Sequence, residues 1–485
     1  MKILFTHSYF LRFDPKQWGA GQPYAPLGTL YAASLMRENN YSVSFYDTMF
    51  SQSAKDILPA LERTTPDFFV IYDDGFNYLT KMCLTNMREA AFEMIKLAKQ
   101  RGCTVVVSSS DSTDHFEQYL NEGADFVLTG EAEITLLELV NSISRNEKDF
   151  FKIQGLAFKQ NEAVIKTPRR NVIKDLDSLP FPAWDLVDMS PYRKMWLKHK
   201  GYFSMNMGTT RGCPFKCNWC AKPIYGNRYN SRSPENVVRE LKMLKEKFQF
   251  DHIWFCDDIF GLKPGWVNRF ADLVEKENLK FQFKIQARAD LLLQEDYVED
   301  LARAGCTNAW MGAESGSQKI LDAMDKGITV EQIYEATSLL KKHNIHPSFF
   351  IQFGYLGETK DDIQKTIRMI NELLPYEIGI SVSYPLPGTL FYEKVKSGMQ
   401  EKSNWTDSDE MALMFRNTYQ PIFYKKLHRY VHHEFRKEQG WFMLRRAFKN
   451  PFALKAREYR KVFSALIYYP QLIVERMQLK YYAHE

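Results

Sequence analysis

The chain has 485 residues, of which 45% are hydrophobic and 25% charged, with a formal net charge of +5. That length allows two or three domains with sizeable cores, and the composition excludes disordered and collagen-like classes. No apolar run approaches the ~20 residues that span a bilayer, and the N-terminus enters a strand at once without the layout of a signal peptide, so a cytoplasmic protein with reduced thiols is expected.

Residues 1–145 alternate short strands and helices. Lys2 to Thr6, Tyr41 to Asp47, Asp67 to Tyr72, Cys103 to Ser108 and Ala124 to Thr129 read as strands. Helical periodicity fills Leu27 to Glu38, Ala54 to Arg63, Leu84 to Arg101, Thr113 to Glu122 and Ala132 to Ser144. Five such units predict a flavodoxin-like doubly wound α/β domain, whose ligands lie beyond the carboxyl ends of the strands. Those ends are polar: Thr6-His7-Ser8, Asp73-Asp74-Gly75-Phe76-Asn77, Ser108-Ser109-Ser110-Asp111 and Thr129-Gly130-Glu131. Small hydroxyl residues and glycine leave room for a large ligand and offer it donors, as nucleotide and flavin sites also do.

Residues 146–200 read as a connection. Ile153 to Phe158 and Ala163 to Thr167 flank a polar turn as a hairpin, and the two prolines within Asp177 to Leu186 give that stretch the extended course of an interdomain linker. Cys83, Cys103, Cys256 and Cys306 stand alone in apolar segments, as buried inert thiols do.

Next comes Thr209-Thr210-Arg211-Gly212-Cys213-Pro214-Phe215-Lys216-Cys217-Asn218-Trp219-Cys220, directly after an alternating strand, Phe203 to Met207. Three thiols spaced C-x3-C-x2-C are one short of a tetrahedral zinc site or of a cubane held wholly by protein. A zinc ribbon needs a second pair of ligands nearby, yet the next cysteine, Cys256, is alone. Three thiolates on three irons leave a fourth iron open to a small chelator. The spacing, with aromatic Trp219 before the last thiol, resembles the signature of the radical S-adenosylmethionine (SAM) superfamily. That resemblance implies a [4Fe–4S] cluster on Cys213, Cys217 and Cys220, with the amino and carboxylate groups of SAM on the open iron.

Through residues 201–395 the strand–helix rhythm continues. Phe203 to Met207, His252 to Cys256, Phe281 to Gln286, Asn308 to Met311, Ser348 to Phe353 and Gly379 to Tyr384 read as six strands, which fit the partial (β/α)6 barrel of that superfamily, with chemistry at the carboxyl ends. Those ends carry Asp257-Asp258, Arg288, Gly312-Ala313-Glu314-Ser315-Gly316, Gly354-Tyr355-Leu356-Gly357-Glu358-Thr359 and Pro385-Leu386-Pro387-Gly388-Thr389. By resemblance, Trp219, Asp257, Asp258, Arg288, Glu314 and Ser315 are expected around SAM. Taken as residues alone, Asp257 and Asp258 can equally cap the next helix, and Glu314 can pair with Arg288.

The order of features across both domains narrows the resemblance. Pro26-Leu27-Gly28 opens the first helix, Gly123-Ala124-Asp125 leads into Gly130-Glu131-Ala132-Glu133, and the three-cysteine loop follows at a distance; this is similar to the cobalamin-binding radical SAM family. The resemblance implies a cobalamin-binding domain in which Ser108, Ser109, Gly130 and Glu131 line the pocket for the nucleotide tail, with Asp74 to Tyr78 facing the lower side of the corrin. The D-x-H-x-x-G motif is absent, since Phe5 and Phe10 stand where it needs Asp and Gly, so His7 is expected to pack or hydrogen-bond rather than ligate cobalt. The implied chemistry is one-electron cleavage of SAM to a 5′-deoxyadenosyl radical, hydrogen removal from an unactivated carbon, and methylation from cobalamin. An oxidative cyclase similar to the anaerobic magnesium-protoporphyrin monomethyl ester cyclase is the runner-up, and a redox or cobalamin sensor without turnover is the alternative of a different class. An external electron donor of flavodoxin or ferredoxin type and a small-molecule or lipid-like substrate are implied as partners.

Residues 396–485 read as a helical C-terminal extension rich in aromatics. Residues 421–485 hold 14 Lys and Arg against 5 Asp and Glu, which leaves the rest of the chain slightly acidic. Packed helices with solvated basic faces are the first reading, peripheral contact with the inner face of a membrane the second. Nucleic acid is not expected.

Overall fold

In the N-terminal sheet, β1 (Lys2–Thr6), β2 (Ser42–Phe45), β3 (Phe68–Tyr72), β4 (Thr104–Ser108) and β5 (Phe126–Leu128) run parallel in the order β2-β1-β3-β4-β5. This is the flavodoxin-like order. Every residue of β3 is buried, as a strand covered by helices on both faces must be. The computed structural model describes residues 1–73, 75–76, 84–222, 224–399, 404–410, 413–449 and 456–483.

The expected hairpin forms, but it belongs to this sheet. β6 (Leu156–Gln160) pairs antiparallel with β5, and β7 (Ala163–Lys166) with β6, so the first unit runs to residue 166 rather than 145. The helix expected over Thr113 to Glu122 starts earlier and splits into Ser110–Asp114 and Phe116–Asn121. Its start is set by Ser109, whose hydroxyl accepts from the Ser112 amide while the Ser112 hydroxyl accepts from the Ser109 amide, a reciprocal cap.

The second sheet is an open half-barrel of six parallel strands in sequential order: β8 (Ser204–Met207), β11 (His252–Phe255), β12 (Gln282–Ala287), β13 (Cys306–Glu314), β14 (His346–Phe353) and β15 (Glu377–Val382). The short pair β9 (Thr210–Arg211) and β10 (Asn230–Ser231) lies between β8 and β11. Alternation along the strands separates two faces. Ile253, Phe255, Phe283, Ile285, Ala309, Met311, Phe349 and Ile351 are buried in the apolar core, whereas His252, Trp254, Lys284, Gln286, Asn308, Trp310 and Glu377 line the concave interior. Side-chain caps start the covering helices: Ser233 accepts from the Asn236 amide, and Thr329 and Thr359 form capping boxes with Gln332 and Asp362.

The stretch expected as a linker is a wedge between the two sheets. Trp184, Tyr192 and Trp196 are among the largest fully buried side chains. Trp184 donates to Glu240 at 2.8 Å, Tyr192 to Asp47 at 2.7 Å and Trp196 to the Pro23 carbonyl at 2.7 Å. The helix Ser190–Lys200 carries the last two; it has Pro191 in its first turn, three basic residues in its last, and ends at Gly201 with φ 83°. Residues 404–410 and 413–417 also tie the sheets together, through Thr85 N to Trp405 O, Ser408 Oγ to Asp14 and Asn417 Nδ2 to Gly354 O. Only then come the two long helices, Pro421–Lys449 and Ala456–Tyr482, which pack antiparallel, with Arg436 meeting Tyr468 and Arg476 meeting Tyr430.

Candidate active site at the facing strand ends

The cysteine loop leaves β8 and is closed at its base by the β9–β10 ladder, which pairs Arg211 with Asn230 and Thr210 with Ser231. Gly212 takes φ 80°, and a Cβ there would lie 2.4 Å from the Arg228 carbonyl oxygen, so only glycine fits the turn. Asp257, at the end of the neighbouring β11, accepts from the Thr209 amide (2.6 Å), the Thr209 hydroxyl (2.5 Å) and the Thr210 amide (2.9 Å). These donors engage both carboxylate oxygens, so Asp257 anchors the entry of the loop. Burial pushes its carboxyl up to about 7, against the pull of those three donors. Asp258, half-buried, is near enough to Cys213 for its charge to raise that thiol.

The loop is docked on the segment that follows β13. Asn218 donates to the Ala323 carbonyl and to Asp325, accepts from the Tyr355 hydroxyl at 2.7 Å, and its amide reaches the Met324 carbonyl. Lys222 bridges the loop from inside, to the Phe215 carbonyl at 2.8 Å and Asn227 at 3.0 Å. Three cations stand beside the loop. Lys222 pulls the Cys213 thiol down against the upward push of burial; Lys326, fully enclosed, is held protonated by Glu314 at 2.7 Å and by Cys217; Arg288 lies 3.7 Å over the Phe215 ring. Burial outweighs Lys222 at Cys213, whose thiol is raised overall; the cations would offset the net negative charge of a thiolate-bound cluster.

The alternative reading, an ion pair between Arg288 and Glu314, does not form. Arg288 is taken by Asp290 at 2.9 Å and the Gly327 carbonyl, and Glu314, in the left-handed region at φ 58°, by Lys326. The Ser315 hydroxyl is turned to Thr366 and the Ser317 amide. Trp219 presents a different case: its indole Nε1 is buried with no hydrogen-bond partner among the described residues, a donor left for a ligand at the loop. Among the described residues no three His, Cys, Asp or Glu side chains converge as ligands of one ion. A cubane does not require that, since each thiolate holds a separate iron.

Facing the loop are the strand ends of the first sheet. Arg211, immediately before Gly212, is buried and reaches Glu131 at 2.5 Å and Glu133 at 2.8 Å, just beyond β5. Tyr31, Phe76 and Tyr225 surround its guanidinium at 5.3, 5.9 and 5.3 Å. The other Glu131 oxygen accepts from the Ile173 amide at 2.5 Å, so this carboxylate, expected at the nucleotide-tail pocket, joins the two sheets. Ser108 and Ser109 are buried at the end of β4, the second as the helix cap already described. Beside them Ser110 Oγ is buried without a partner among the described residues. Gly130 has φ 79°, and a Cβ on it would meet Arg169 at 3.3 Å. An orphaned hydroxyl among small residues fits a large polar ligand lying across these ends. Both His7 nitrogens are engaged, by Asp47 at 2.9 Å and Thr48 at 3.3 Å, so His7 is hydrogen-bonded. Of the loop expected to face the corrin, Asp74, Asn77 and Tyr78 lie outside the described residues, as does Cys83.

Sequence reasoning missed Arg211, Asn218, Lys326 and Tyr355. Arg211 and Asn218 stand inside the quoted motif, where a charged and an amide residue beside the thiols were the available signal. Tyr355 stands in the quoted end of the fifth strand but was read as backbone platform, and Lys326 comes from a segment that nothing local marks.

Residues 207–370 match the family model of the radical SAM superfamily. The chain is 28% identical over 387 residues to an uncharacterized methyltransferase of Pyrococcus horikoshii, covering 78% of this chain and 80% of that one. It is 28% identical over 326 residues to the anaerobic magnesium-protoporphyrin IX monomethyl ester cyclase of a Synechocystis species, covering 66% of this chain and 62% of the relative. In fold it is similar to the cobalamin-dependent SAM radical enzyme OxsB solved with aqua-cobalamin bound: TM-score 0.74 at 16% identity, over 99% of this chain and 72% of that one.

Proposed function

We propose that this chain, whose residues 207–370 match the family model of the radical SAM superfamily, is a cobalamin-dependent radical SAM methyltransferase acting on an unactivated carbon. The observation that carries this reading is the Arg211 junction with Glu131 and Glu133. It sets the loop that bears the cysteines against the strand ends where a doubly wound sheet binds its ligand, so two cofactors would share one reactive space. When bound, the cluster with SAM supplies a carbon-centred radical and cobalamin supplies a methyl group.

The chain's own residues hold, orient and shield. Cys213, Cys217 and Cys220 hold iron, and Lys222, Lys326 and Arg288 balance the charge. Trp219 Nε1 offers a donor beside SAM, with Asp258 near the same loop; Ser108, Ser109, Ser110 and Gly130 border the cobalamin pocket. Tyr31, Phe76 and Tyr225, all buried, exclude water between the sheets. No side-chain acid or nucleophile is needed, only an external one-electron donor of flavodoxin or ferredoxin type.

A cyclase reading is favoured by the similarity to the Synechocystis enzyme. The two separate by products. Anaerobically reconstituted protein, given hydroxocobalamin, deuteromethyl-SAM and a small-molecule extract of its source cells, is expected to form S-adenosylhomocysteine together with 5′-deoxyadenosine and a product three mass units heavier per methyl group. 5′-Deoxyadenosine without S-adenosylhomocysteine, and an unlabelled product, would establish the cyclase instead.

The tail supports a peripheral site of action. No described helix is long and apolar enough to cross a membrane, yet Phe463, Ile467, Val474, Met477 and Tyr481 form an exposed stripe along the last helix, and Arg445, Arg446 and Lys449 are exposed near the end of the preceding one. Apolar rings with basic neighbours match an anionic lipid surface. The full chain is expected to co-sediment with vesicles containing phosphatidylglycerol but not with pure phosphatidylcholine, and to lose binding on Phe463→Ser with Ile467→Ser; equal partitioning to both vesicles would refute it.

A further inference from the structure

The amino-terminal end of the half-barrel, opposite the cysteine loop, is hollow. At this end barrels are ordinarily filled by packed side chains. Here a cavity of about 900 Å³ opens among the first residues of β11 to β15 and the end of helix Ser190–Lys200. Lys284 projects into it from β12. Arg288, four residues on, packs against Phe215 of the cysteine loop, so at ~3.3 Å per residue Lys284 lies about 13 Å below that loop.

The walls are chemically specific. The Lys284 ammonium lies 5.2 Å from the Trp254 ring and 5.4 Å from that of Tyr24, and makes no hydrogen bond or ion pair among the described residues. The side chain is half-buried in the cavity wall. Burial pushes the amine down to about 8, with Glu377 opposing the shift and Lys200 adding to it; a cation so placed gains from an anion brought beside it. Asn308, on β13, donates to Ser348, while its Oδ1 is buried without a partner, an acceptor waiting for a donor. Trp310 and Phe350, stacked at 4.7 Å, form a flat wall. A planar body, one negative charge and one hydrogen-bond donor complement these groups together.

We propose that this cavity is a second ligand site, separate from the cluster loop, for an aromatic carboxylate, with Lys284 as its counter-ion, Trp254 and Trp310 as its apolar walls and Asn308 as its acceptor. The site rests on neither iron nor cobalamin, so its test stands apart from the methyltransferase reading.

Calorimetric titration of the full chain with 6-hydroxy-2-naphthylacetate and with 2-(6-hydroxy-2-naphthyl)ethanol, which share the phenolic donor for Asn308, is expected to show the carboxylate binding about tenfold more tightly. Lys284→Met should erase that preference while leaving the affinity of the alcohol and the iron content unchanged. Glu377→Gln, which removes the opposing charge, should strengthen the carboxylate alone. Equal affinities in the unaltered protein, no binding of either probe, or a preference that survives Lys284→Met would each overturn the proposal.

Discussion

Replacing any one of Cys213, Cys217 and Cys220 with alanine will remove the iron–sulfur absorption of the reconstituted protein and reduce 5′-deoxyadenosine formation below detection. Three thiolates are the whole protein ligand set of the proposed cluster, and each holds a separate iron, so no fourth side chain can replace a lost one. The neighbouring thiols provide the control. Cys256 donates to the Met207 carbonyl at 3.3 Å from within the core, and Cys306 is fully enclosed, with its thiol pushed far up by burial; Cys256→Ala and Cys306→Ala should keep full iron content. Retention of iron in all three loop variants would sink the cluster assignment. A loss shared with the Cys256 and Cys306 variants would mean general unfolding, and intact near-ultraviolet dichroism in the loop variants excludes that.

The two sheets were legible because their strands are short, apolar and punctuated, and because a period of two for strands and 3.6 for helices survives in single stretches. Helix Leu27–Glu38 and strand Lys2–Thr6 fall where the sequence predicts them. The cysteine loop was legible because its ligands are local. What escaped depends on pairing between distant segments. The hairpin of β6 and β7 looks the same in sequence whether it stands alone or extends a sheet; only the exposed edge of β5 decides. Asp177 to Leu186 reads as a linker because proline sets its local course, yet Trp184 is buried against Glu240 from 56 residues away. Glu131 illustrates the same point within the site. Its position at a strand end was legible, but its ion-pair partner, 80 residues on, was not, and that partner makes it a junction between the sheets. The polar interior of the half-barrel was present as alternation in Gln282 to Gln286, and was passed over because the buried apolar partners Phe283 and Ile285 dominate a reading for the core.

Arg211→Met is the second variant of large expected effect, because it leaves two carboxylates, Glu131 and Glu133, buried without their cation. Breaking a buried pair by removing one partner typically costs about 3–5 kcal/mol, whereas replacing all of its members by apolar groups of similar shape is often neutral. The Arg211→Met protein should therefore melt well below the parent, and Arg211→Met with Glu131→Gln and Glu133→Gln should recover much of the difference. The sign of the pH dependence follows from the same groups. Burial and Glu133 raise the Glu131 carboxyl, and Arg211 supplies the main opposing pull. Without Arg211 the folded-state value rises further above the unfolded one, so the variant is most stable where the carboxyl is protonated in both states and loses stability as pH climbs through the folded value. Its melting temperature should accordingly fall more steeply from pH 5.5 to pH 8 than that of the parent. The chemical readout is separate from stability: the cysteines are untouched, so SAM cleavage to 5′-deoxyadenosine should persist in the folded fraction, while methyl transfer, which needs both sheets held face to face, should fall further. A variant with parental melting behaviour and an unchanged ratio of S-adenosylhomocysteine to 5′-deoxyadenosine would show that the Arg211 junction does not hold the two cofactor sites in register.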